Sequence, residues 1–259
     1  MPSIGTVNYH VRKPYRQSFK IDAGGIPGKI VSSDLIAKEI RLNDLRAGEA
    51  SVSFSEDGVG FLSAPTKVKS FDSPSDWRSN YTLEIERVLT AELGVRAVVV
   101  FDHTIRFDDP NSGRKPARNV HSDYSPAGAE KRLFDILGEE QAQAWSRDHF
   151  AFVNVWRPID NPINSAPLAF VRPSSVSEDD WIALDLIYPD RRGQIMGLVG
   201  NDNHEWIYAS RMRPDEVVYF NIFDNQGLPA VGHSAVDLIE DPFVSTVRKS
   251  EETRTVVRF

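Results

Sequence analysis

Apolar and polar positions change rhythm along the chain. Over residues 73–94, SPSDWRSNYTLEIERVLTAELG, the residues Tyr81, Ile85, Val88, Leu89 and Leu93 recur at helical spacing, and Gly94 is a good stop, which predicts an amphipathic helix. Residues 95–107, VRAVVVFDHTIRF, are rich in β-branched and aromatic side chains and predict a long strand. The run GAEKRLFDILGEEQAQAWSRD returns to helical spacing and is broken at Gly138. From residue 150 onward short β-like runs follow one another: FAFVNVWR, PLAFV, GQIMGLV, EWIYAS, EVVYFNIF, AVGHSAV and TRTVVRF. The first 65 residues add GTVNYHV, AGGIPGKIV and ASVSFSEDGVGFL as shorter strand-like stretches between glycine turns. Many short strands at modest spacing predict a sandwich or barrel, mainly β with flanking helices, of the jelly-roll kind. No internal repeat interrupts this pattern, so one domain covering 1–259 is expected, with 1–94 as strands and a helix packing on the barrel and 95–259 as the jelly-roll core.

Composition narrows the chemistry. The net charge of −7 disfavours a nucleic-acid partner, which calls for a basic face. The chain has no cysteine, so disulfides, thiolate metal sites and a cysteine nucleophile are all excluded, and any metal must be held by His, Asp or Glu. No apolar leader is visible at the start and no apolar stretch approaches membrane-spanning length. A cytoplasmic protein acting on a small-molecule substrate is the expectation, with no nucleic acid and no membrane; homo-oligomer formation is left open.

Six histidines are present, and a lone histidine is more often structural than functional. His10 and His149 are left with that reading, and His103 is expected to be packed or hydrogen-bonded within the long strand. His121 is different. It stands two residues before Asp123 in NVHSDYSPAG, and residues two apart on a strand share a face. A third ligand can come from His233, in AVGHSAV beside Gly232, with His204 as its rival. Two imidazoles and one carboxylate on one face of a metal leave adjacent positions open, as in non-haem iron(II) oxygenases. Those positions accept a bidentate 2-oxo acid and then O2. The tail, RKSEETR, would place Arg248, Ser250, Glu252 and Arg254 on one strand face. A guanidinium with a hydroxyl two residues away suits the distal carboxylate of 2-oxoglutarate. Arg248 with Ser250 is favoured for it, and Arg254 is the rival.

The blocks VVVFDHTIRF, HSDYSPAGA, NVWRP, PLAF, HEWIY, MRPDEVVYF, FDN, GHSA and RKSEETR, in this order, make the sequence similar to one oxygenase family from about residue 30 to the end. It resembles the non-haem Fe(II)/2-oxoglutarate-dependent hydroxylases and desaturases typified by cephamycin 7α-hydroxylase and fungal gibberellin GA4 desaturase. The resemblance implies a double-stranded β-helix (cupin-like) forming a single oxygenase domain. It also implies His121, Asp123 and His233 as catalytic iron ligands, an arginine of the final segment as anchor of the 2-oxoglutarate co-substrate, and a small-molecule metabolite as substrate. The sequence departs from the family pattern at Glu251, where isoleucine is usual, and at Gly232, where proline is usual.

Five further residues are expected near substrate or co-substrate. Asn154 of NVWRP shares a face with Trp156, while Arg157 points the other way. Tyr124 follows the ligand pair directly. His204 and Trp206 share a face with Tyr208. The reaction expected is hydroxylation or desaturation of an unactivated C–H bond with release of succinate and CO2. Halogenation is disfavoured because Asp123 occupies the position a halide would need. The alternatives are a cupin-like binding protein without turnover and a zinc hydrolase using the same three ligands.

Overall fold

A computed structural model describes residues 3–26, 29–239 and 247–259. Its early strands are β1 (Ser3–His10), β2 (Gln17–Lys20), β3 (Leu35–Asp44), β4 (Val59–Ser63), β5 (Ala97–Phe107) and β6 (His121–Ser122). Next come β7 (Phe150–Pro158), β8 (Leu168–Val171), β9 (Trp181–Ile187), β10 (Arg192–Leu198) and β11 (Trp206–Tyr208). The last are β12 (Glu216–Asp224), β13 (Gly232–Ala235), β14 (Asp237–Leu238) and β15 (Lys249–Arg258). They form a ten-stranded sheet, β14-β1-β3-β11-β8-β13-β6-β10-β9-β2, and a five-stranded sheet, β4-β12-β7-β15-β5. The helices are α1 (Phe54–Asp57), α2 (Pro74–Leu93), α3 (Pro126–Leu137) and α4 (Glu139–Ser146). The architecture is thus mainly β with few helices, as the strand-rich second half predicts.

Alternation explains the layers. Every residue of β7 is buried, because both faces of the five-stranded sheet are covered. Phe150, Phe152 and Trp156 point to the core between the sheets, where they meet Phe170 of β8 and Phe220 of β12. Ala151, Val153 and Val155 point outward, under α2. That helix matches its sequence-predicted span and ends where Gly94 adopts φ 64°. It turns Trp77, Tyr81, Ile85 and Leu89 onto the sheet, each at most 2% exposed and worth roughly 1.5–3 kcal/mol on burial. Gly138, at φ 74°, separates α3 from α4 as the sequence suggests.

Two stretches differ from expectation. The described residues of the run 23–31 form no strand: Ala23–Gly25 is a single 3-10 turn, Val31 makes only an isolated bridge to Lys20, and residues 27 and 28 lie outside the described residues. Leu35–Asp44, by contrast, is a ten-residue strand that pairs along the whole of β1. Its apolar alternation is weak because neither face is buried over its first half, where Ile36 and Ala37 are both exposed.

Glu251 has a structural reason. It is fully buried beneath α2, and the His103 ring meets both the Glu251 carboxylate and the Thr253 hydroxyl through Nδ1, at 3.0 and 2.9 Å. His103 Nε2 reaches Thr82 of α2 at 2.9 Å. An isoleucine here would leave the histidine without its carboxylate partner. Burial pushes the Glu251 carboxyl up despite these bonds. His103→Ala would leave that carboxylate without its imidazole, so a loss of about 3–5 kcal/mol in urea unfolding is expected. An unchanged midpoint would show that the pair does not hold α2 to the sheet.

Candidate active site

The three residues singled out as metal ligands converge. One ligand atom each from His121, Asp123 and His233 lie within 4.8 Å of one another. β6 and β13 are neighbours in the large sheet, with His121 directly opposite His233 and ring centroids 4.5 Å apart. Asp123 follows β6 at a bend. Ser125 then caps α3 by accepting from the Gly128 N–H at 3.0 Å, with Pro126 in the first turn. Strand end, bend and cap together fix where the carboxylate points. Gly232 lets β13 lie close to its neighbours: a Cβ there would come within 2.5 Å of Leu198 Cδ1, so Leu198 occupies the space the family's proline would fill.

Backbone carbonyls set the imidazole tautomers. His121 Nδ1 lies 2.8 Å from the Asn119 carbonyl and His233 Nδ1 lies 3.1 Å from the Val231 carbonyl. A carbonyl only accepts, so Nδ1 donates in both rings and the Nε2 lone pairs are free for a metal. Burial pushes the His233 imidazole down to about 4, with the His121 charge acting the same way, so the ring is neutral and ready to ligate. Asp123 is split between two tasks. Its Oδ2 accepts from Asn154 Nδ2 at 2.7 Å and Arg254 Nε at 3.0 Å, while Oδ1 stands 3.6 Å from His121 Nε2. Burial raises its carboxyl, but the Arg254 charge, helped by the contact with His121, outweighs this and holds it well below the usual range. Carboxylate, imidazole and imidazole therefore present three donor groups to one point.

The two tail arginines part company. Arg254 is saturated with acid: besides Asp123, it pairs with Asp102 at 2.8 Å and Glu252 at 2.6 Å. It is not free to anchor a co-substrate and is instead the clamp on Asp123. Arg248 is 4% exposed and has no carboxylate partner among the described residues. One terminal nitrogen donates to the Ala166 carbonyl, another lies 3.5 Å from Ser250 Oγ, and Nε has no partner at all. Its guanidinium lies over the Trp156 ring at 5.2 Å. Burial pushes it down to about 9, with the Arg106 charge adding to the effect. Arg248, Trp156, Leu168, Glu252, His121 and His233 line one small cavity.

Of the remaining expected residues, Tyr124 and Asn154 reach the site. Asn154, 1% exposed, spends its amide N–H groups on Asp123 and on Glu252 at 3.2 Å, so it touches the ligand carboxylate and not an open substrate face. Tyr124 stands beside Asp123, its ring 5.0 Å from Phe152. Three expectations of substrate contact fail on geometry. Arg157 lies on the far side of β7 under α2, where Nε donates to Tyr81 at 2.7 Å and the terminal nitrogens donate to the Ala64 and Pro214 carbonyls. His204 and Trp206 belong to another network: Tyr9 Oη meets His204 Nδ1 and accepts from Trp206 Nε1, both at 2.9 Å, and His204 Nε2 meets Asp180 at 3.2 Å. Trp206 packs in a separate apolar cluster built from β1, β3 and β8. Asp102 and Glu252, which complete the charge network, carry no motif of their own; only their parity with Arg254 and Arg106 hints at a shared face.

A family model described as "Oxidoreductase/YMDC permease-like domain" matches residues 7–258. Among the described residues no helix is long and apolar enough to cross a membrane. The chain is 28% identical over 246 residues to the hydroxylase/desaturase efuI of Hormonema carpetanum, covering 83% of this chain and 82% of that protein. It is 27% identical to the hydroxylase/desaturase CTB9 of Cercospora beticola, covering 85% and 76%. It is 26% identical to the Fe(II)/2-oxoglutarate-dependent dioxygenase nvfI of Aspergillus novofumigatus, covering 85% and 82%. Its fold matches that of a variant of the iron and alpha-ketoglutarate-dependent endoperoxidase NvfI with a TM-score of 0.87 at 21% identity, over 100% of this chain and 99% of that one. With the family model spanning nearly its whole length and the His-x-Asp…His cluster assembled, the chain belongs to this oxidoreductase family, among the Fe(II)/2-oxoglutarate-dependent hydroxylases and desaturases.

Proposed function

We propose that the protein hydroxylates or desaturates an unactivated C–H position of a small secondary metabolite, using Fe(II), 2-oxoglutarate and O2. One observation carries this reading: the two imidazoles of a three-donor cluster line the same cavity as a buried guanidinium that has no carboxylate partner among the described residues. A buried cation left unpaired is costly unless a ligand neutralises it. A dicarboxylate fits, with one end at the metal and the other on Arg248.

His121 and His233 through Nε2, and Asp123 through Oδ1, would hold the iron. Arg248 and the Ser250 hydroxyl would hold the distal carboxylate of 2-oxoglutarate, and Trp156 and Leu168 would keep water off it. Arg254 and Asn154 keep Asp123 turned so that one oxygen remains for the metal. Bound iron and 2-oxoglutarate supply, with O2, the oxidant that takes hydrogen from the substrate as succinate and CO2 are released. Asp123 fills the carboxylate position, which speaks against halogenation. We read the two sheets as a double-stranded β-helix, because β5, β6, β7 and β8 pass alternately between the small and the large sheet, as do β12, β13 and β15.

The test is an anaerobic titration with Fe(II) and then 2-oxoglutarate. A weak visible charge-transfer band is expected, followed by succinate release on admitting air. A folded protein that gives no band would refute the reading. Zinc-supported turnover without O2 would indicate a hydrolase, and ligand binding without succinate a binding protein.

Arg254→Ala is expected to act on the metal more than on 2-oxoglutarate. It strips the cation from Asp102, Asp123 and Glu252 together, and such orienting partners typically contribute about 10–100-fold to metal affinity. Iron affinity measured by competition with a chelator should fall by that order, while the 2-oxoglutarate constant at saturating iron changes little.

A further inference from the structure

Beside Asp123, and away from the Arg248 cavity, the fold builds a second half-open corner. Its origin is a bulge. Arg254 of β15 pairs with Asp102 of β5, but Thr255 pairs with Val100, leaving Phe101 without a partner across the strands. Asp102 and Phe101 therefore both face inward, Asp102 onto Arg254 and Phe101 into the core between the sheets, while Val98 and Val100 face α2. A bulge next to a site re-aims side chains, here by setting an aromatic ring next to the clamp on a metal ligand. Phe101 packs against Phe152 at 5.9 Å, and Tyr124 against the same ring at 5.0 Å. Phe101 and Tyr124 both remain half-buried where they pack against the fully buried Phe152.

Over this floor stands Arg132 of α3, its guanidinium 5.0 Å from the Phe101 ring centre and beside the Tyr124 hydroxyl. The neighbouring arginines are neutralised: Arg106 by Glu252, Arg118 by Asp108 and Asp237, and Arg254 by three carboxylates. Arg132, half-buried, has no carboxylate partner among the described residues. A planar fork and a phenol hydroxyl side by side suit a carboxylate, and the parts of the two half-buried rings that stay open suit an apolar body.

Resting on the oxygenase reading above, we propose that Arg132 and Tyr124 hold the carboxylate of an apolar acid substrate whose carbon skeleton lies on Phe101, so that these residues select acids over their neutral derivatives. The probes are naphthalene-2-carboxylate and dodecanoate with their methyl esters. Binding is measured calorimetrically without O2, with 2-oxoglutarate saturating so that Arg248 is occupied, on protein with and without Fe(II). Wild type should bind at least one acid tenfold or more tightly than its ester. Arg132→Gln should lose most of that preference with ester binding, melting temperature and the charge-transfer band unchanged, and Arg132→Lys should keep part of it. No acid preference in wild type, a preference that survives in Arg132→Gln, or loss of the band in that variant would each overturn the proposal. A band that never forms in wild type defeats the iron reading separately, and the acid preference is then judged on the metal-free protein.

Discussion

Replacing Arg248 by alanine is expected to raise the 2-oxoglutarate concentration that half-saturates the chelate by roughly 30-fold to several thousand-fold, equivalent to about 2–5 kcal/mol, with iron affinity little changed. The expectation follows from what Arg248 lacks. Its Nε has no partner, its terminal nitrogens reach only a carbonyl and a hydroxyl, and it is buried beside the two imidazoles. Burial without a counter-ion is why its guanidinium is pushed down to about 9. The same facts predict an opposite effect on the ligand-free protein. Arg248→Met fills much of the space without a charge, so it should unfold at the same or a higher urea concentration than wild type, and 2-oxoglutarate should stabilise wild type but not the variant. Arg248→Lys keeps a charge but loses the planar fork, and should fall between. A normal titration for Arg248→Ala beside a lost one for Arg254→Ala would reverse the assignment of the anchor. Normal titrations for both would remove the tail from co-substrate binding altogether.

Much of the site was legible because its signals are local or periodic. His121 and Asp123 are two residues apart on an extended segment. The even positions of the tail do share a face, with Ser250, Glu252 and Arg254 turned to the site and Thr253 and Val257 turned to α2. The same parity placed Arg157 opposite Asn154, and that too holds. Parity could not say what covers the opposite face. There Tyr81 of α2 and the Ala64 and Pro214 carbonyls take up the guanidinium, so a polar residue that looks available is consumed by them. His204 and Trp206 misled for a related reason. Trp206 opens β11 and His204 lies just before it; β11 pairs with β3 and β3 with β1, so the Tyr9 hydroxyl of β1 reaches both residues across two strand pairings that local spacing does not report. The choice between Arg248 and Arg254 turned on Asp102, which reaches Arg254 from β5 across the sheet pairing. No spacing in a single sequence reports such a long-range partner, nor the bulge at Phe101.

His233→Ala is expected to abolish iron-dependent succinate formation and the anaerobic band, whereas His204→Ala should leave both intact. The contrast is sharp because the two histidines were rivals for one role and the fold separates them. His233 faces His121 across a strand pair, with its Nδ1–H spent on the Val231 carbonyl and its Nε2 open. His204 has both nitrogens engaged, one by Tyr9 and one by Asp180. Losing it should cost about 1–3 kcal/mol of stability, the penalty for polar groups left without a partner, and nothing at the metal. The metal-free protein offers a second readout for His233. Its folded pKa, about 4, lies below the unfolded value of 6.5, so between those pH values the unfolded chain binds more protons and stability falls as the pH drops. His233→Ala removes that contribution, on the order of 3 kcal/mol across the window, so the variant's urea midpoint should decline less from pH 6.5 to 4 than the wild type's. Retained iron binding in His233→Ala, together with its loss in His204→Ala, would show that the third ligand has been misassigned.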